Sequence, residues 1–297
     1  MQVLSGKDVA MSVLEHVRKE AVIFGEKYGR MPSIAVILVG EDPASQTYVA
    51  AKKKSALELG YGHKDYHLSV HATQQELLEL VRELNADDDV DGILVQMPLP
   101  PHMDENCVID TIDPAKDVDG FHPVNAGKIL LGRSSLVSCT PKGVLRIMDH
   151  YGIRTAGKDV VIIGRSSIVG KPMAALLMQK GRDATVTVCH SCTLGLKEHV
   201  RRADIIIAAV GHPHMITADM VKSEAVVIDV GITRVTDLTK KKGWRLVGDV
   251  DYDNVAPRTS AITPVPGGVG PMTIAMLMEN TLQAAQERKR EQKGENA

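Results

Sequence analysis

Apolar runs of strand length alternate along this chain with segments whose apolar positions recur every three to four residues. Ile34–Gly40, Gly92–Gln96, Asp159–Gly164, Ala184–Cys189, Asp204–Ala209 and Ala225–Asp229 are rich in Val and Ile and nearly continuous. Such runs predict strands buried on both faces. Helices are predicted at about 8–28, 45–60, 73–86, 141–151, 169–181 and 270–290. The alternation is that of βαβ units in parallel sheets covered by helices. The predicted class is therefore α/β, with two α/β lobes, the second a Rossmann-like parallel sheet.

Turn chemistry at Asp113-Pro114 and along Asp117–Pro123 marks an irregular connection. The expected division is one domain over 1–120 and a second over 121–269. The last helix, 270–290, carries Ile274, Leu277, Met278, Thr281 and Leu282 on one stripe. It is expected to return to the first lobe and pack there. The charged tail Glu287–Ala297 is expected to fray.

Composition narrows the partners. The chain has 297 residues, 44% of them hydrophobic, enough for two domains with cores. A net charge of -2 gives no general pull toward nucleic acid or membrane. Aromatics at 3% argue against stacking platforms for single strands. No apolar run reaches the ~18–20 residues of a membrane span, and Met1–Lys7 lacks the blocks of a signal peptide. Neither nucleic acid nor membrane is expected as a partner, and the expected location is cytoplasmic. Cys189 and Cys192 form a lone C-x-x-C. Cys107 and Cys139 supply no second ligand pair at suitable spacing, although His190 and His199 lie near. The plainer reading is two cysteines near the end of a buried strand, with no metal.

Strand 159–163 runs into Gly164-Arg-Ser-Ser-Ile-Val-Gly-Lys-Pro172 and then a helix. Strand, glycine turn and helix is the context in which a dinucleotide phosphate meets a helix N-terminus. The pattern is not G-x-G-x-x-G: Ser166 replaces the second glycine and Gly170 comes one residue late. A structural turn fits the loop as well as a cofactor loop does. The next strand ends Val188-Cys-His-Ser191, without the carboxylate that holds the ribose diol of NAD. A cation, Arg165, with a hydroxyl and no acid suits a 2′-phosphate, so NADP is favoured over NAD. Against this, Arg165 also fits a solvent-facing role.

Tyr48 and Lys52 are four residues apart, which puts a phenol and an amine on one helical face. Lys52, Lys53 and Lys54 form a run of the kind that surface helices carry as solvated charge. Three neighbours single out Lys52: Tyr48 on its face, Gln96 at the C-terminal end of strand 92–96, and Asp117 and Asp119 in the linker. Ligands of open α/β sheets bind beyond the strand C-termini. A lysine there, partly desolvated beside an amide and a carboxylate, is suited to proton transfer. Pro266-Gly-Gly-Val-Gly-Pro-Met-Thr273 is a glycine-dense loop opening a helix, where backbone N–H groups can meet a ligand.

Eight strings taken in order make the chain similar to a known family. They are Pro43–Lys52, Asp91–Pro100, Lys116–Pro123, Cys139–Gly143, Gly164–Gly170, Asp229–Ile232, Val247–Val250 and Pro266–Thr273. The chain resembles the bifunctional methylenetetrahydrofolate dehydrogenase/methenyltetrahydrofolate cyclohydrolases of one-carbon metabolism. The resemblance runs nearly end to end and includes no synthetase portion. It implies NADP⁺-dependent oxidation of 5,10-methylenetetrahydrofolate, then hydrolysis of the methenyl form to 10-formyltetrahydrofolate. It also implies an active site in the cleft between two lobes and a homodimer built through the cofactor domains.

By resemblance, Lys52 is the general acid/base, with Tyr48, Gln96 and Asp119 as its catalytic neighbours. Gly164, Arg165, Ser166, Ser191 and Ile232 match the cofactor positions. Tetrahydrofolate derivatives are expected against Tyr48, Lys52, Val95, Gln96, Asp119 and the loop Pro266, Gly267, Gly268, Val269 and Gly270. Two departures stand out. Cys192 replaces the usual Lys or Arg, which removes a possible phosphate cation, and Met97 replaces a more usual Leu of similar volume. Competing readings are an NAD-dependent or dehydrogenase-only relative and, from another class, a catalytically silent dinucleotide-binding module. The retained Tyr48, Lys52, Gln96 and Asp119 argue against the silent module.

Overall fold

The computed structural model describes residues 1–240 and 242–292. The chain begins with β1 (Gln2–Val3), α1 (Gly6–Tyr28), β2 (Ser33–Val39), α2 (Pro43–Glu58), β3 (Gly62–Leu68) and α3 (Gln74–Ala86). Next come β4 (Gly92–Val95), α4 (Glu105–Thr111), α5 (Pro123–Leu130) and α6 (Cys139–His150). Then follow β5 (Asp159–Ile163), α7 (Gly170–Leu177), β6 (Thr185–Cys189), α8 (Leu196–Arg202), β7 (Ile205–Ala208) and β8 (Val226–Asp229). The last elements are β9 (Thr233–Thr236), β10 (Trp244–Val247), α9 (Tyr252–Val255), β11 (Ala261–Ile262) and α10 (Val269–Gln292). Among the described residues no helix is long and apolar enough to cross a membrane.

One compact unit comprises Met11–Lys128, Ser134–Cys139 and the chain from Ile274. Its sheet is parallel, in the order β3-β2-β4. All seven residues of β2 are buried, because helices or other chain cover both faces. Ile37, Val39, Leu77, Val81, Ile93 and Val95 meet in its core. Helix α3 starts at a capping box: the Thr73 hydroxyl accepts from Glu76 N at 3.2 Å, and Glu76 Oε2 accepts from Thr73 N at 2.7 Å. Lys116 is buried and its ammonium donates to the carbonyls of Leu84, Asn85 and Asp87, closing the other end of α3. Burial pushes the pKa of Lys116 down to about 8, with the Arg288 charge acting the same way. The C-terminal stretch of α10 belongs to this unit. Tyr61 Oη donates to Met278 O at 3.1 Å, and Asn280 Nδ2 donates to Val118 O and Val137 O, both at 2.8 Å.

The other unit comprises Met1–Ala10, Ile129–Arg133 and Thr140–Thr273. Its six strands run in the order β1-β11-β8-β7-β5-β6, all parallel. Strand β5 is flanked on one side by the next strand in the chain, β6, and on the other by β7. The strand order therefore reverses between β5 and β7, which creates a crevice at their C-terminal ends. Val161, Ile163, Ile206, Val227 and Ile262 are among the residues of the core. An antiparallel hairpin, β9–β10, stands apart from the sheet.

Candidate active site

Helix α2 carries Tyr48 and Lys52. Asp42 caps it by accepting from Ser45 N at 2.7 Å, and Pro43 occupies its first turn. The lysines of the run separate by what they meet. Lys53 pairs with Asp65, and Lys54 lies 3.8 Å from Glu58 one turn on, so both are surface ion pairs. Lys52 is half-buried, and its Nζ donates to Gln96 Oε1 at 3.0 Å. Gln96 follows β4 directly; its backbone N donates to Ile37 O at 2.9 Å, extending the ladder by one residue. Its Nε2 donates to Met97 O at 2.6 Å, which turns Oε1 toward the lysine. Tyr48, 45% exposed, stands one turn before Lys52. Val95 is buried, with its side chain in the core beneath Gln96.

Asp119 lies in a turn held from several sides. Asp117 is buried: its Oδ1 accepts from Gly120 N at 3.2 Å, and its Oδ2 from His122 N at 2.8 Å and Asn125 Nδ2 at 3.0 Å. Asp117 is therefore occupied in shaping the turn. Asn280 grips Val118 O from α10, and Cys139 N donates to Asp119 O at 3.3 Å. The Asp119 carboxyl remains half-buried. Desolvation raises its pKa above the usual carboxylate range, the Lys52 charge pulls it back down, and Asp117 pushes it up. Lys52 thus donates to the Gln96 amide oxygen and acts electrostatically on the Asp119 carboxyl. Asn280, which fixes the turn, was not visible in the sequence: a polar residue inside an apolar helical stripe gives no local signal of its partner.

The expected cofactor residues line one edge of the six-stranded sheet. Gly164, Arg165 and Ser166 follow β5, Ser191 follows β6, and Ile232 follows β8, all beyond strand C-termini. Gly164 has φ +125°, and a Cβ there would overlap the Ala209 carbonyl at the end of β7. Only glycine fits that approach at the β5/β7 reversal. Ser166 Oγ accepts from Val169 N at 3.1 Å and Gly170 N at 3.4 Å, so it caps α7 rather than leaving room as a second glycine would. Arg165 is exposed, as are Ser191 and Ile232. Ser191 sits in a turn closed by Thr193 N to His190 O at 2.8 Å and His190 N to Thr193 Oγ1 at 2.9 Å. A crevice with a bare glycine, an exposed guanidinium and an exposed hydroxyl, and no carboxylate after β6, fits a phosphate-bearing dinucleotide. Cys189 ends β6 and is buried, which raises its thiol pKa, whereas Cys192 is exposed.

In the loop Pro266–Gly270, Gly267 O accepts from Lys7 N at 3.1 Å, and α10 starts at Val269. Pro266 and Gly270 are exposed and Val269 is buried. The peptides Met97–Pro98 and Val265–Pro266 are cis.

Comparison with known proteins identifies the family. Residues 4–119 match the catalytic-domain model of the tetrahydrofolate dehydrogenase/cyclohydrolases, and residues 138–289 match their NAD(P)-binding-domain model. The "Bifunctional protein FolD" of Campylobacter concisus is 56% identical over 286 residues, 96% of this chain and 98% of that protein. The crystal structure of a bifunctional FolD methylenetetrahydrofolate dehydrogenase/cyclohydrolase from Campylobacter jejuni superposes with a TM-score of 0.92 at 47% identity. It covers 97% of this chain and 99% of that one. The FolD of Trypanosoma brucei, solved with NADP and an inhibitor, gives a TM-score of 0.92 at 40% identity, covering 97% and 98%. With both domain models matched in order along nearly all of its length, the chain belongs to the tetrahydrofolate dehydrogenase/cyclohydrolase family.

Proposed function

We propose that this chain oxidises 5,10-methylenetetrahydrofolate with NADP⁺ and hydrolyses the resulting methenyl form to 10-formyltetrahydrofolate. The observation that carries the reading is the Lys52–Gln96 hydrogen bond at 3.0 Å, with Asp119 electrostatically coupled to the same lysine. The nicotinamide, when bound, supplies the hydride acceptor. No proton leaves the folate in that step, so the chain's part in it is to position the two reactants.

Hydrolysis does require proton transfer. Water attacks the methenyl carbon, and the Lys52 amine takes its proton. The resulting ammonium, held by Gln96 Oε1, protonates N5 as the C–N5 bond breaks, and the carbinol hydroxyl gives up its proton to solvent as the formyl C=O forms, so one proton is released overall. Asp119 anchors the pterin by accepting from its ring N–H and amino group. Tyr48 offers its ring as a platform for the rest of the folate. Val95 contributes through its backbone, since its side chain is in the core. Pro266–Gly270 completes the folate and nicotinamide surroundings.

The preference for NADP⁺ rests on Arg165 and Ser191 as 2′-phosphate partners, with Gly164, Ser166 and Ile232 shaping the crevice. Cys192 supplies no cation there. On the strength of the family resemblance, the chain acts as a homodimer in the cytoplasm.

The test is to supply methylenetetrahydrofolate with NADP⁺ or NAD⁺ and follow reduced nicotinamide, methenyl and formyl species. Reduction with NADP⁺ followed by formyl product is expected. In Arg165→Ala the KM for NADP⁺ should rise about tenfold or more, and that for NAD⁺ far less. Equal rises would remove the 2′-phosphate assignment. No reduced nicotinamide with either cofactor would overturn the function and leave a silent binding module.

A further inference from the structure

Two carboxylates that this chemistry does not use are buried side by side in the six-stranded unit. Asp229 ends β8 and is 3% exposed; Asp249, two residues past β10, is 0% exposed. Asp229 Oδ1 accepts from Gly231 N at 2.9 Å and Asp249 N at 3.0 Å, and its Oδ2 accepts from Val250 N at 2.9 Å. Asp249 Oδ2 accepts from Val210 N at 2.7 Å and Gly211 N at 3.0 Å. The backbone closes tightly on both groups: a Cβ on Gly248 would overlap the Asp229 carboxylate, and one on Gly231 would overlap that of Asp249. Among the described residues Asp249 Oδ1 has no hydrogen-bond partner.

Such a pair is costly. Desolvation, with some contribution from Asp249, pushes the Asp229 carboxyl up to about 6. An apolar filling of the same space is generally no worse for stability. The cost points to something the pair holds in place. Val210 and Gly211 leave the C-terminal end of β7, and Gly231 precedes Ile232 beyond β8. Across a planar trans peptide the carbonyl points opposite to the N–H. With both amides turned into Asp249, the carbonyls of Ala209 and Val210 are turned away from it. The Ala209 carbonyl is the one packed against Gly164.

We propose that Asp249 is a positioning residue of the cofactor site, fixing the peptides after β7 against Gly164, and that Asp229 ties this loop to the Gly231–Ile232 segment. The inference rests on the reading that this crevice takes a nicotinamide dinucleotide. Neither residue touches the reacting atoms. Their effect is on the backbone surface that receives the cofactor, so binding and hydride transfer depend on them more than hydrolysis does.

The experiment measures three quantities in the full chain: NADP⁺ dissociation by fluorescence titration, hydrolysis of directly supplied methenyltetrahydrofolate, and the melting temperature. Asp249→Ala should weaken NADP⁺ about tenfold or more and lower dehydrogenase kcat/KM in parallel. Hydrolysis should change less than about threefold. Asp249→Asn keeps one acceptor oxygen without the charge and should fall between wild type and Ala. If the alanine variant does not fold, the asparagine variant decides, with a weakening of about threefold or more expected. Unchanged NADP⁺ affinity in a folded variant would overturn the proposal. So would equal losses of both activities alongside a fall in melting temperature, since that is a merely structural role. Wild-type protein that binds neither NADP⁺ nor NAD⁺ would instead remove the reading on which the proposal rests.

Discussion

Lys52, Lys53 and Lys54 are chemically identical and differ only in what each nitrogen meets. Two face surface carboxylates, and the third faces an amide oxygen at the end of a buried strand. Spacing from Tyr48 and the strand-end position of Gln96 made that choice legible in the sequence. The residues alone did not separate Asp117 from Asp119, because both flank the same turn; only the family resemblance singled out Asp119. In the structure Asp117 spends its oxygens on three N–H groups, whereas the Asp119 carboxyl feels the charge of Lys52. Burial raises the Asp119 pKa, so the carboxylate is lost on acidification at a higher pH than an ordinary aspartate. Folate binding that needs the ionised form should therefore weaken as pH falls, with the onset above the usual carboxylate range. Asp119→Asn should remove that acid limb from the pH profile of kcat/KM and cost roughly ten- to a hundredfold at neutral pH. An acid limb that survives in the asparagine variant would show that another group titrates.

At the scale of elements, the apolar runs marked β2, β4, β5, β6, β7 and β8 correctly. They could not mark β3, whose sequence Gly62-His-Lys-Asp-Tyr-His-Leu68 is mostly polar because it forms one edge of its sheet. The two-residue strands β1 and β11 are too short for any period to register. Helix α7 stops at Leu177, before the expected 181, where Gly181 and Asp183 take positive φ and turn the chain toward β6. The C-terminal helix is longer than its charge suggests. Residues Glu287–Gln292 are helical, and the rest of the tail that was expected to fray lies outside the described residues.

The helix holds because its charged end is anchored. Arg288 Nη1 donates to Asp91 Oδ1 at 3.1 Å, and Arg30 meets the same carboxylate with two nitrogens at 2.6 and 2.7 Å. Asp91 Oδ2 also accepts from Ser33 N at 2.9 Å, so one buried residue ties the end of α1, the start of β2 and the end of α10. Asp91→Ala should cost about 3–5 kcal/mol in urea denaturation, since it leaves the Arg30 guanidinium without its carboxylate and Arg288 with only the exposed Asp88. A loss under about 1 kcal/mol would mean that the pairs are no stronger than surface ones.

At the scale of the whole molecule, two chemistries are assigned to one chain, and only one of them needs a proton carrier. Family membership was legible because eight strings keep their order from Pro43 to Thr273. The fine structure behind those strings was not. Asn280 reaches Val118 and Asp249 reaches Val210 across long stretches of sequence, and no local period records such partners. In the proposed function Lys52 serves hydrolysis and not hydride transfer. The most direct test follows reduced nicotinamide and methenyltetrahydrofolate together in Lys52→Met supplied with methylenetetrahydrofolate and NADP⁺. Methenyltetrahydrofolate should accumulate in step with reduced cofactor, with no enzymatic formyl product. Formyl product at the wild-type rate, or loss of hydride transfer without any change in hydrolysis, would contradict this role of Lys52.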